Sequence, residues 1–221
     1  MYYIFLLVTL VITLSSQAYI KSVYNKTRKI KANSGMTGEE VALRILDVNG
    51  LNNVKVVEID GELSDHYDPK NKVVRLSSDV FKNNSIAAIS VAAHECGHAI
   101  QDKNNYFFLR FRSLIFPLVS FASRIGYVII IISIFAQLIE LLWVGILFEC
   151  IILLFQLITL PVEFNASSRA LRQIQDLGIV SVEENKNCRK MLKAAALTYV
   201  ASVATAIIEI LRLVLIARGR D

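Results

Sequence analysis

"LIFPLVSFASRIGYVIIIISIFAQLIELLWVGILFECIILLFQLITLPV" (residues 114–162) decides the fold class, because its only charges are Arg124, Glu140 and Glu149. A bilayer-crossing helix needs about 20 apolar residues. The stretch is therefore long enough for two spans, with a turn near "AQLIE" at 136–140, and a helical hairpin is expected. Its three charged side chains are costly in lipid and should face protein, water or the membrane interface.

Working outward, "YYIFLLVTLVITLSSQAYI" at 2–20 is apolar over most of a span, and every nearby basic residue follows it. A secretory signal carries Lys or Arg ahead of its apolar run, so residues 1–20 read as a retained first transmembrane helix. The positive-inside rule places its N-terminus outside and residue 21 onward in the cytoplasm. A fourth transmembrane or membrane-associated helix is expected at 192–217, interrupted by Glu209 and Arg212. The 54% hydrophobic content, 19% charge and mean hydropathy of +0.49 agree with an integral, multi-pass protein of the cell membrane.

The net charge of +5 is unevenly distributed: residues 21–113 hold 14 of the 24 lysines and arginines, and residues 163–193 hold six. These segments read as a cytoplasmic α+β domain (21–113) and a cytoplasmic helical segment (163–191). The basic run "KSVYNKTRKIK" at 21–31 directly follows an apolar stretch and carries no recognition motif, so it reads as juxtamembrane anchoring and not as a nucleic-acid site. The cysteines at 96, 150 and 188 show no paired spacing, and no disulfide framework is implied.

Within the polar domain, "TGEEVALRILDVNG" (37–50) has the Thr37/Glu40 spacing of a capping box and reads as a helix ending at Gly50. The β-branched runs "VKVVEI" (54–59) and "KVVRLS" (72–77) flank a turn at "DPKNK", so two or three short strands are expected. "NSIAAISVAAHECGHAIQDK" (84–103) then reads as a helix capped by Ser85 or Asn84.

That last helix carries His94, Glu95 and His98. Residues four apart share a helical face, so the two imidazoles can converge on one metal ion, with Glu95 in reach of a water on it. Two neutral nitrogen ligands, an open position and a carboxylate base suit zinc-assisted hydrolysis. Gly97 weakens a helix interior by about 1 kcal/mol, which implies a close packing partner there. Cys96 lies off the histidine face and reads as core. The third ligand should come from another helix: Glu163 in "LPVEFNASSRALRQI" (160–174) is the candidate, with His66 in "DHYDP" as its competitor.

"AAHECGHAIQ", "DHYDPKNKVVRLS" and "LPVEFNASSRAL" together resemble the YugP-type membrane zinc metallopeptidases, which share gluzincin logic with HtpX-like proteases. The likeness covers nearly the whole chain. It implies Zn2+ as cofactor, His94, His98 and Glu163 as metal ligands and Glu95 as general base. It also places Asn165, Ser168 and Arg169 where HtpX-like proteins carry an acidic residue supporting the ligands. Asn165 is an amide there, and a weaker acceptor than a carboxylate.

The fold expected is a mostly α integral membrane protein: about four transmembrane helices with a small α+β zincin-like metalloprotease domain at the membrane surface. The expected function is zinc-dependent endopeptidase action on peptide or membrane-protein substrates at the bilayer, in processing or quality control, with the active site on the cytoplasmic side. His66 is ranked first as donor to the oxyanion, and "KVVRLS" as the strand edge that receives substrate. The alternatives are a non-catalytic zinc-binding membrane scaffold or sensor, and a protease whose motif lies inside a spanning helix. "SIAAISVAA" is too short for the latter.

Overall fold

A computed structural model describes residues 2–219. Ten elements follow in order: α1 (Tyr2–Thr27), α2 (Gly38–Val48), β1 (Lys55–Ile59), β2 (His66–Asp68), β3 (Val73–Ser77), α3 (Ser78–Lys82), α4 (Ile86–Lys103), α5 (Phe107–Ala136), α6 (Ile139–Asp176) and α7 (Val182–Arg218). The protein is mostly helical, with a small mixed sheet. Four helices, α1, α5, α6 and α7, are long and apolar enough to cross a membrane.

The chain forms two compact units. One comprises residues 1–18, 110–161 and 197–221, and the other residues 19–109 and 162–196.

The apolar unit takes its helices from α5 and from parts of α1, α6 and α7. Ile130, Leu142, Ile146, Leu213 and Ile216 pack together, while Leu114, Phe121, Phe135 and Leu147 stay exposed, the pattern of helices that meet lipid on one side. Gly126 and Gly145 admit close neighbours: a Cβ would lie 2.8 Å from Phe148 and 2.5 Å from Ile130, respectively. Glu149 lines a polar cavity of about 280 Å³ with Gln156, Thr205 and Glu209, and Glu209 pairs with Arg212 one turn along α7. Glu209 and Arg212 thus offset each other's charge, and Glu149 faces a polar recess, as their cost in hydrocarbon requires.

The second unit holds the polar domain. Thr37 caps α2 and completes the capping box with Glu40, which satisfies two otherwise orphan backbone donors. Gly50 ends that segment with φ +61°, a conformation that costs glycine little. β3 lies between β1, its parallel partner, and β2, its antiparallel partner, giving the order β1-β3-β2. Asp68 sets the turn into β3 by accepting from the backbone N–H groups of Lys70 and Asn71 and from the Asn71 side chain. Ser85 caps α4.

The sheet order corrects one expectation. Residues 72–77 cannot receive a substrate strand, because both edges of β3 already pair with neighbours. On the α4 side the free edge belongs to β2.

α4 runs through the middle of this unit. Ile86, Ile89, Ala92, Ala93, Cys96 and Ala99 are almost wholly buried, against Val41, Ile45, Val74 and Leu76 on one side and Ala170 and Ile174 of α6 on the other. Each fully buried Ile or Leu contributes roughly 1.5–3 kcal/mol. Cys96 lies in this core with its thiol toward the Ala42 carbonyl, and burial pushes its pKa up.

Candidate metal centre

His94 and His98 project from one face of α4, with ring centroids 4.8 Å apart and planes nearly perpendicular. Glu163 projects from α6 toward both. Its Oε2 lies 3.2 Å from His94 Nε2 and 3.7 Å from His98 Nε2, and one potential ligand atom from each of the three residues falls within 4.8 Å of the others. His66 is not part of this group. It lies in β2 with an exposed side chain, and its Nδ1 donates to the Ser64 carbonyl at 2.8 Å.

Gly97 explains how the two helices come close enough. A Cβ there would sit 2.6 Å from the Ala166 carbonyl oxygen, so α4 and α6 touch backbone to backbone beside His98 and one turn from His94 and Glu163.

The far side of each imidazole is also occupied. Gln101, fully buried, donates from Nε2 to the Val162 carbonyl at 2.8 Å and to Asn165 Oδ1 at 3.0 Å. A backbone carbonyl only accepts, so the amide nitrogen must face it and Oε1 must face His98 Nδ1, 3.0 Å away. The His98 proton is thereby placed on Nδ1, and the Nε2 lone pair is left toward Glu163. Ser167 Oγ lies 3.2 Å from His94 Nδ1 and hydrogen-bonds it, as acceptor or donor according to the tautomer of that ring.

Neither Gln101 nor Ser167 was anticipated. Both follow from asking what holds the second nitrogen of each ligand histidine, since Gln101 is three residues after His98 and Ser167 four after Glu163, each on the ligand's own helical face. The expected supporting segment is displaced by one step: Asn165 touches no ligand histidine, but accepts from Gln101 and, at 2.7 Å, from Arg169 Nε.

Glu95 is buried beside the group, and one of its carboxylate oxygens accepts the Tyr67 backbone N–H at 2.8 Å. Burial pushes its pKa up to about 7. The negative charges of Glu163 and Asp65 add to the rise, and His94 and the Tyr67 N–H oppose it. The same tyrosine donates its hydroxyl to Asp102 at 2.7 Å, so β2 is fastened to α4 at two points separated by two turns. Asp65 precedes β2, accepts from the Ser77 N–H at 2.7 Å, and is itself raised, chiefly by burial.

The donor set fits zinc. Two imidazole nitrogens and one carboxylate oxygen converge, each imidazole is held from behind, and a second carboxylate stands alongside. α4 is not among the helices long and apolar enough to cross a membrane, so the motif lies outside the candidate spans.

A family model described as "Putative neutral zinc metallopeptidase" matches residues 2–218. The chain belongs to this family. It is 47% identical over 207 residues to the "Putative membrane protease YugP" of Bacillus subtilis (strain 168), covering 93% of this chain and 92% of the relative. No solved structure matches. Membership makes the chain a zinc metallopeptidase by family, hence a hydrolase of peptides, and His94, His98 and Glu163 are its candidate metal site.

Proposed function

We propose that the chain is a membrane-embedded zinc endopeptidase of gluzincin type. His94, His98 and Glu163 hold the ion, Glu95 is the general base, and the substrates are membrane proteins undergoing processing or quality control. The observation that carries this reading is the convergence of both Nε2 atoms on Glu163 Oε2 with Glu95 alongside. Zinc bound there supplies a Lewis acid for the scissile carbonyl and lowers the pKa of water to about 7.

The chain's own residues supply the rest. Glu95 accepts the proton of the attacking water and delivers it to the leaving amine nitrogen. Gln101 and Ser167 hold the imidazoles so that their Nε2 lone pairs stay pointed at the ion.

The outer edge of β2 is the place for an extended substrate, because the Tyr67 N–H on that edge already faces Glu95. His66 is the proposed oxyanion donor. With Nδ1 donating to Ser64, it donates from Nε2 only as the doubly protonated ring. A His66→Ala protein that keeps full turnover removes it from the mechanism.

The peptidase portion comprises residues 21–113 and 163–191 and is assigned to the cytoplasmic side, with residues 1–20, 114–162 and 192–217 in the bilayer. The density of Lys and Arg at 21–31 supports this sidedness.

The deciding experiment measures bound zinc and cleavage of an unfolded membrane substrate for detergent-purified wild type, Glu95→Gln and Glu163→Ala. Glu95→Gln should keep zinc and lose activity by about 10²–10⁴-fold, and Glu163→Ala should lose both. Wild type that binds zinc and cleaves nothing favours a zinc-binding scaffold instead. Retention of zinc in Glu163→Ala moves the third ligand elsewhere, with His66 next to be changed.

A further inference from the structure

α6 and α7 leave between them, inside the second unit, a cavity of about 300 Å³. Its apolar wall is Phe164, Leu171, Leu192 and Ala196, and its polar rim carries Arg172, Arg189 and Lys193. All three cations are exposed, and none makes an ion pair among the described residues. Surface cations on a helical protein commonly find carboxylates one turn away, as Lys186 does with Glu183. Here no Asp or Glu lines the cavity.

Ser167 is already engaged with His94 Nδ1. Gln175 spends Oε1 on the Asn185 amide at 2.6 Å, which leaves its own Nε2. Ser168 is exposed on the same wall. The lining therefore offers three cations, the Gln175 amide N–H and the Ser168 hydroxyl, with no carboxylate among them, set beside an apolar surface. Such a lining is complementary to an anion that carries a hydrocarbon body.

Location along the chain narrows the choice. Phe164 stands three residues after Pro161, where the apolar run of α6 ends, and Ala196 immediately precedes Leu197, where that of α7 resumes. At about 1.5 Å per residue, Lys193, Arg189 and Arg172 lie roughly 6, 12 and 16 Å along their helices from those ends. Lys193 thus falls at headgroup depth, about 5–7 Å from the hydrocarbon edge, with Arg189 and Arg172 on its water side. Neither β2 nor α4 contributes to the cavity's lining, and Ser167 is the one lining residue that reaches a candidate metal ligand.

We propose that this cavity binds an anionic phospholipid, with the phosphate among Arg172, Arg189 and Lys193 and the first carbons of an acyl chain against Phe164, Leu171 and Leu192. The volume suits this occupant, since it leaves room beyond a bare phosphate for the glycerol and the start of a chain.

The test uses the full chain in detergent, with native mass spectrometry counting bound phosphatidylglycerol against phosphatidylcholine of identical acyl chains. Each basic residue near a membrane surface is worth about fivefold in attraction, so three give a preference on the order of a hundredfold. The Arg172→Gln/Arg189→Gln/Lys193→Gln chain should lose that preference. A control with Lys21→Gln/Lys26→Gln/Lys29→Gln removes as much positive charge at the end of the first span and should keep it. Ala196→Leu, which fills the apolar wall and leaves every charge in place, should weaken phosphatidylglycerol and thereby covers the event that the triple variant does not fold.

Four results overturn the proposal. One is wild type without a lipid preference, and another is equal loss in both triple variants, which would show a diffuse field in place of a site. The third is retention of the preference in the cavity variants. The fourth is displacement of the lipid by inorganic phosphate or by an acidic peptide, which would reassign the cavity to a free anion or to substrate.

Discussion

The backbone carbonyl of Val162 reaches the metal group through a single side chain. It fixes the orientation of the Gln101 amide, and the amide fixes the proton on His98. Replacing Gln101 by Leu keeps the volume and removes the acceptor, so zinc affinity should fall about 10–100-fold, read by competition with a chromogenic chelator. Gln101→Glu keeps an acceptor at that position and should recover part of the affinity. Ser167→Ala should cost less, because water can take the place of a half-exposed hydroxyl.

Glu95 gives a pH prediction at the same scale. Its pKa in the folded, metal-free chain is raised from 4.5 to about 7, so its contribution to stability is fully present below about pH 4.5 and is lost as the pH rises through 7. The gap corresponds to about 3 kcal/mol as an upper figure. Glu95→Gln does not titrate, and its Oε1 can still accept the Tyr67 N–H. Stripped of zinc by chelator, Glu95→Gln should unfold at a higher temperature than wild type at pH 8 and at nearly the same temperature at pH 4.5. An advantage that is equal at both pH values would place the effect outside the ionisation of Glu95.

At the scale of elements, the site depends on how closely α4 and α6 approach. Gly97→Ala puts a Cβ 2.6 Å from the Ala166 carbonyl, and backbone on both sides leaves no flexible group to yield. The helices must separate, at a cost of about 1–3 kcal/mol in stability, and zinc affinity should fall with it because the ligands stand on different helices. Thermal unfolding in detergent and zinc titration on one preparation check both. The sequence pattern made much of this legible. Capping residues and histidine spacing identified α2 and α4, β-branched runs marked β1 and β3, and Gly97 signalled a close neighbour before that neighbour was known. Strand order was not legible, because which of two short strands lies at an edge depends on pairing between distant residues. The supporting role of Asn165 was misplaced by one contact for the same reason: sequence spacing relates residues on one helix, and Gln101 intervenes from another.

For the whole molecule, hydropathy identified four candidate spans. It did not reveal that α6 continues unbroken from its apolar run through Glu163 to Asp176, nor that α7 begins at Val182, ten residues before the expected fourth helix. Charged and polar residues interrupt the hydropathy signal while the backbone hydrogen bonds continue. Sidedness is a prediction at this scale. A reporter fused after residue 35 should be cytoplasmic, and an extracytoplasmic signal there would reverse the assignment for the peptidase portion.

The 69-residue separation of His94 from Glu163 has a consequence for biosynthesis. A nascent chain that has delivered α4 owns two of the three candidate ligands and the proposed base but not Glu163, the carboxylate that would complete the set. The α5 and α6 apolar runs must both be synthesised before Glu163 emerges from the ribosome. Under the proposed ligand set, hydrolytic competence is tied to the order of translation, and a chain stalled or truncated during membrane insertion would be released without the means to cut its neighbours.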